Sequence, residues 1–179
     1  MDIPLLVLQS CTLLVSAGTA FLTFAMGRKT NNIKTVFKQR ATNKEKVQSS
    51  AAVLLKYSMK DVLPLIGKEE VFASAEAAGV ICSVLKYRYT IADEIIALSD
   101  KLVADLAHYV SSGKMDDREV LATRSAFFAA YSKYDMAEWR FLKRQSNGET
   151  QGSKDYDDVY EIVKQEFADA EAKKAKGKK

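Results

Sequence analysis

The chain is poor in residues that interrupt helices and in residues that most often build reactive sites. Its 179 residues include 8 Gly, 2 Pro, 2 Cys and 1 His. Folds rich in β-strands need many turns, and glycine and proline supply a large share of them. Alanine, leucine, lysine and glutamate, which favour helices, are frequent in the middle of the chain. The composition therefore predicts an all-α protein.

The scarcity of histidine and cysteine limits the chemistry that the chain can support. A zinc site needs four ligands, whereas the sequence offers only Cys11, Cys82 and His108. A di-iron bundle needs two Glu-x-x-His pairs, and the nearest match is Asp105-x-x-His108. There is also no Gly-rich phosphate loop. We therefore predict no catalytic residue, no metal and no cofactor, and expect a protein that is not an enzyme.

Charged residues are absent from the opening stretch, Ile3 to Met26. A helix of that length spans roughly 30 Å or slightly more, which matches the thickness of the hydrocarbon core of a bilayer. We predict a transmembrane anchor over residues 1–27. Two alternatives remain. A cleaved signal peptide normally starts with positive charge, and this chain starts Met1-Asp2. A buried helix of a globular domain is the other alternative, although the uncharged run is long for one.

A basic juxtamembrane segment is predicted over residues 28–48. It has seven basic residues and a single acid, Glu45; the basic residues are Arg28, Lys29, Lys34, Lys38, Arg40, Lys44 and Lys46. Basic flanks stay on the cytoplasmic side, so the predicted localisation is a single-pass membrane protein with its N-terminus outside and its domain cytoplasmic. The seven residues are candidates for binding anionic headgroups. A flank that only sets topology fits equally well, and nucleic acid ranks below both.

The rest of the chain is predicted to be a helical bundle domain, residues 49–172, followed by a disordered lysine-rich tail, residues 173–179. Hydrophobic periodicity and helix-start and helix-stop signals divide the bundle into about five helices. Ser49 or Ser50 is the expected cap of the first, and Pro64 and Gly67 mark its end. The fold class is therefore an N-terminal transmembrane helix followed by a small all-α bundle.

One predicted helix, from Asp116 to about Arg144, is unusually rich in aromatic residues. They occupy more than one face: positions 124, 128, 131, 135, 138 and 142 fall on one stripe of the helix, positions 127, 134 and 141 fall on another, and both stripes contain aromatic residues. Exposed aromatic patches often mark interfaces. The predicted partner interface is Phe127, Tyr131, Tyr134, Trp139 and Phe141. A helix buried on two sides of its own bundle is the competing interpretation.

These features predict a membrane-anchored scaffold, tether or subunit of a membrane complex without enzymatic activity. The expected partners are the lipid bilayer with its anionic headgroups and other membrane or cytoplasmic proteins, with a homo-oligomer as one option; no nucleic acid and no small-molecule substrate is expected. The alternative is a membrane-active effector, such as a lysis, defence or ejection protein of a microbe or virus, whose anchor oligomerises. A third hypothesis is an enzyme with a carboxylate site among Asp93, Glu94, Asp100 and Asp105.

Overall fold

The computed structural model describes residues 34–86, 90–114, 116–147 and 153–176. The chain divides into two compact units, Met1–Gln39 and Arg40–Lys179. Of the first unit, residues 34–39 are described, and they are helical. The second unit contains the helical bundle.

The described residues form five α-helices, one short 3-10 helix and no strand. Helix α1 occupies residues 34–57, and the 3-10 helix Leu63–Leu65 follows it. The others are α2 (Lys68–Leu85), α3 (Thr90–Ser111), α4 (Arg118–Ser146) and α5 (Ser153–Lys176). The predicted all-α bundle of five helices is thereby confirmed for the described part of the chain.

Helix α1 is continuous through Ser49 and Ser50, where the sequence predicts the start of a separate helix. The Ser49 hydroxyl donates to the backbone carbonyl of Lys46 (3.0 Å) instead of capping a new helix. Serine in a helix interior commonly bonds back to the preceding turn in this way. The predicted boundary between residues 48 and 49 therefore falls inside one helix.

The break between α1 and α2 lies where the sequence places it, around Pro64 and Gly67. The Glu70 carboxylate accepts a hydrogen bond from the Gly67 backbone N–H (2.7 Å), which satisfies a donor that the first turn of α2 leaves without a helical partner. This bond is the main reason that the pKa of Glu70 lies below its usual value. A hydrogen bond between residues three apart in the sequence therefore fixes the start of α2.

A spacing that alternates between three and four residues governs which side chains are buried in α3 and α4. In α3 the buried positions are Ala92, Ile95, Ser99, Leu102, Leu106 and Tyr109. In α4 they include Val120, Thr123, Phe127, Ala130, Tyr134, Ala137 and Phe141. This spacing averages 3.5 residues and keeps one seam of each helix facing its neighbour, as in four-helix bundles and coiled coils.

A single core cluster includes residues from all five helices and from the 3-10 helix. Helix α4 packs along both α3 and α5, and α2 packs along α3. The largest side chains buried in the core are Tyr156, Phe127 and Phe141, and two of them belong to α4. Helix α4 therefore packs against other helices on more than one side and supplies two of these three side chains.

Among the residues that the structure describes, no helix combines the length and the apolar character that crossing a bilayer requires. These helices bury one apolar stripe and carry charged side chains on the remaining surface. The predicted localisation, single-pass with the N-terminus outside and the domain cytoplasmic, is wrong on this finding. The predicted anchor itself, residues 1–27, lies outside the described residues.

Candidate protein-interaction site

Three of the five aromatic residues predicted to form an interface belong to the buried seam of α4. Phe127, Tyr134 and Phe141 are buried in the core cluster. They are the stripe at positions 127, 134 and 141 that the sequence shows. The structure thus places these three residues where the competing interpretation, a helix buried within its own bundle, expects them.

A second face of α4 contacts α1 through polar side chains. The Arg40 guanidinium lies 3.4 Å from the Glu138 carboxylate, and the Lys44 ammonium lies 3.2 Å from that of Asp135. Gln48 also donates a hydrogen bond to Asp135 (2.8 Å). Residues later in α1 meet residues earlier in α4, so the two helices run antiparallel.

The Arg40–Glu138 pair is buried, since the two side chains retain only 12% and 3% of their accessible surface. The Arg40 guanidinium also lies over the rings of Phe141 (4.1 Å to the centroid) and Tyr156 (5.3 Å). Burial, together with the nearby Glu138 carboxylate, raises the pKa of the Tyr156 phenol. The end of the bundle near Arg40 is therefore organised around a buried cation that two aromatic rings and a carboxylate surround.

The predicted membrane-surface residues differ in exposure. Two of the seven, Arg28 and Lys29, lie outside the described residues. Arg40 and Lys44 pack against α4 and make the ion pairs above, whereas Lys34, Lys38 and Lys46 are exposed. Headgroup binding by this set stays a prediction that no contact in the structure tests, and two of its charges have partners inside the bundle.

A third face of α4 contacts α5. The Arg140 guanidinium donates to both carboxylate oxygens of Glu166 (2.9 and 2.7 Å). This pair lowers the pKa of Glu166 and raises that of Arg140. The rings of Phe141 and Tyr156 meet edge to face, with centroids 5.6 Å apart. Together these contacts fix α5 along α4.

The remaining face of α4, which we call the outer strip, carries large apolar side chains in solvent. The strip consists of Phe128, Ser132, Met136, Trp139 and Lys143, whose spacing places them on one side of the helix. Phe128, Met136 and Trp139 are 53%, 37% and 55% exposed. The Lys143 ammonium lies 5.3 Å from the centroid of the Trp139 ring. The strip lies between the residues that contact α1 and those that contact α5.

A groove of about 400 Å³ adjoins the outer strip. Its lining comes from α4 and α5: Tyr131, Ser132, Asp135, Met136, Trp139, Arg140 and Phe167. Two residues of the predicted interface, Tyr131 and Trp139, line this groove. The structure therefore brings only this part of the predicted set to a surface where a partner can bind.

Sequence reasoning missed Met136 and Phe167 as surface residues, and it named no exposed role for Phe128. The strip could have been found from the spacing of the buried seam. Buried positions of α4 recur at intervals of three and four residues, and residues on the side of the helix away from that seam face solvent. Phe167 lies on α5, and it lines the same groove as Met136 because α5 packs along α4, which the spacing of residues within α4 does not encode.

The histidine and the four carboxylates that the sequence offers for catalysis are not among the residues that line this groove. His108 is exposed on α3, as are three of the four carboxylates of the enzyme hypothesis: Asp93, Glu94 and Asp100. The fourth, Asp105, accepts a hydrogen bond from the Thr123 hydroxyl (2.6 Å) and pairs with Lys101 (2.9 Å). No group of His, Cys, Asp and Glu in the described ranges is arranged to hold a metal ion.

Comparisons with known proteins assign no family to this chain. No protein-family model, no curated protein and no solved structure matches it. Its function is therefore inferred from the geometry of α4.

The phenol of Tyr131 gives a titration test of the groove wall. Burial, and secondly the Asp135 carboxylate, raise its pKa from 10.0 to about 12. Between these two pH values the unfolded phenol loses its proton while the folded one keeps it. The contribution of Tyr131 to stability is therefore complete below pH 10 and is lost as the pH rises through 12.

We expect the difference between the phenolate absorbance titrations of the wild type and of Tyr131→Phe to show one group with a pKa near 12. The variant should also lose less stability than the wild type across that alkaline range. A difference titration centred on the ordinary tyrosine value would show that the groove wall is open to water.

Proposed function

We propose that this chain is a non-enzymatic scaffold that binds another protein through the outer strip of α4 and the adjoining groove. The observation that supports this is the exposure of Phe128, Met136 and Trp139 on a helix whose other faces pack against the bundle. Exposed apolar surface of this kind costs hydration free energy, at about 25 cal/mol per Å². A partner that covers the strip removes this cost.

The residue types in the strip favour a protein partner. Aromatic residues, methionine and arginine are enriched at interface centres, and tryptophan and arginine are frequent hot spots. Here Trp139 and Met136 lie beside Arg140, and Lys143 and Asp135 supply a charged rim. The strip runs over residues 128–143, so its length is about 22 Å at 1.5 Å per residue. That length suits the side of a helix better than a small molecule.

The membrane-anchored part of the sequence-based prediction is not retained, because no helix in the described part of the chain is suited to cross a bilayer. The membrane-active alternative stays a prediction from the sequence, and no contact of the described residues favours it.

The proposal is tested by placing a photo-activatable phenylalanine analogue at position 139 of the full chain and illuminating cells that express it. We expect discrete protein adducts, because Trp139 lies within the bound surface. The matched control carries the analogue at position 72, since Phe72 is an aromatic residue that is 66% exposed on α2. Absence of adducts from position 139, or the same adducts from both positions, would refute the proposed binding surface.

A further inference from the structure

We propose that the partner on the outer strip is an acidic amphipathic helix, which places apolar side chains on Phe128, Met136 and Trp139 and carboxylates beside the cations that border them. This inference rests on the proposed function and names the chemistry of the partner. It follows from the way in which the charges of α4 are divided between the bundle and the solvent.

The acidic residues in this part of α4 are already engaged by α1. Residues 128–147 include two of them, Asp135 and Glu138. The Asp135 carboxylate lies 3.2 Å from the Lys44 ammonium. The Glu138 carboxylate is buried and lies 3.4 Å from the Arg40 guanidinium. Both negative charges are therefore neutralised within the bundle, and neither attracts a cationic partner to the strip.

The cations of the same stretch are divided differently. Arg140 donates to both carboxylate oxygens of Glu166 on α5. The other three, which we call the strip cations, are Lys133, Lys143 and Arg144, and they form no ion pair with any residue that the structure describes. Lys143 and Arg144 are exposed, and Lys133 is half-buried. The strip therefore presents three positive charges to an anionic partner.

The strip cations border the apolar side chains of the strip. Lys133 lies three residues before Met136, a spacing that places both on the same side of the helix. The Lys143 ammonium lies 5.3 Å from the centroid of the Trp139 ring, so its charge stands beside an exposed indole. A ligand that satisfies both features needs acidic and apolar groups side by side. An amphipathic helix supplies them at intervals of three and four residues, and such helices commonly bind with the apolar face in a groove.

An anionic bilayer also offers negative charge, but the surface of α5 opposes it. Helix α5 borders the groove through Phe167. Over residues 156–170 it exposes one cation, Lys164, and five acids: Asp157, Asp158, Glu161, Glu166 and Asp169. A bilayer is far wider than one helix, so a bilayer that covered the strip would also approach these carboxylates, and like charges repel. A helix is only about 10 Å wide and can cover the strip alone, so the observations favour it.

Trp139 makes the test direct, because it is the single tryptophan of the chain and is 55% exposed. Its emission shifts to shorter wavelength when a ligand excludes water from the indole. The full chain is titrated with a synthetic helical peptide of about 18 residues, long enough to cover the strip, with leucine at every third or fourth position and glutamate at the flanking positions. We expect a saturable shift that added salt weakens. The matched peptide with lysine for glutamate should bind at least about 30-fold more weakly, and phosphatidylserine vesicles should leave the emission unchanged.

A charge-reversed variant tests the strip cations themselves. It combines Lys133→Glu, Lys143→Glu and Arg144→Glu. This variant should bind the glutamate peptide at least about 30-fold more weakly than the wild type does, and it should gain affinity for the lysine peptide, which a variant that failed to fold could not do. The control reverses three exposed cations outside α4 and should keep the wild-type preference; it combines Lys56→Glu, Lys60→Glu and Lys68→Glu.

Three results would overturn the inference: no shift with the glutamate peptide, equal affinity for the two peptides, or a charge-reversed variant that keeps the wild-type preference. A shift with the vesicles and none with the glutamate peptide would overturn it in favour of a membrane surface. If the photo-adducts from position 139 join it only to segments that lack acidic residues, the proposed function stands and the acidic helix is ruled out. If position 139 gives no adduct, both fail.

Discussion

Replacing Arg40 with alanine should lower the free energy of unfolding by about 3–5 kcal/mol. The substitution removes the cation that lies 3.4 Å from the Glu138 carboxylate, which is itself almost fully buried. It also removes the guanidinium from the rings of Phe141 and Tyr156. A buried carboxylate deprived of its cation keeps its desolvation cost without the compensating attraction, so the loss is far larger than for a surface ion pair.

The double variant Arg40→Met with Glu138→Met separates charge from packing. It keeps two side chains of considerable volume and removes both charges, and such replacements are often neutral or stabilising. Urea unfolding of the two variants and of Lys46→Ala, an exposed residue of the same helix, measures the effect. The Lys46 control should change stability by no more than about 0.5 kcal/mol. A double variant as unstable as Arg40→Ala would contradict the electrostatic explanation.

Replacing Phe141 with alanine should also destabilise the fold by about 3–5 kcal/mol. The ring is buried between the Arg40 guanidinium and the Tyr156 ring, so its removal leaves a cavity and deletes both contacts. Trp139→Ala is the matched control, two residues away on the same helix and in solvent. Its expected effect on stability is about 0.5 kcal/mol, in either direction.

Thermal and urea unfolding of this pair decide which aromatic residues of α4 belong to the core. A large loss for Phe141→Ala with a small one for Trp139→Ala is the expected pattern. Equal losses would mean that Trp139 is covered within its own bundle, which would remove the basis of the outer strip. If both substitutions changed stability only slightly, Phe141 would not pack as the structure shows.

The helices were predictable from the sequence, and the faces they use were predictable only in part. Breaks at Pro64 and Gly67 and around Asn147 are local signals, so they identify helix ends. The seven-residue spacing of Phe127, Tyr134 and Phe141 was visible. Whether that stripe faces the core depends on which helices pack against α4, and no local pattern states this. Interface and core therefore could not be distinguished from spacing alone.

The role of the charged residues in the basic segment, residues 28–48, was likewise predictable only in part. Its composition suggested a lipid surface, yet Arg40 and Lys44 have their partners on α4, far along the chain. Composition reports how many charges a segment carries and says nothing of which are neutralised by the fold. The membrane localisation that this segment helped to support is likewise corrected by the described helices.

The antiparallel contact between α1 and α4 also has a consequence for biosynthesis. Arg40, Lys44 and Gln48 all find polar partners on α4, so these contacts cannot form until the ribosome has translated Asp135 and Glu138. At typical elongation rates this delay is on the order of 5–20 s. Throughout that interval, the side of α1 that packs against α4 in the folded protein has no α4 to contact. The polar contacts that join α1 to α4 therefore form late in synthesis.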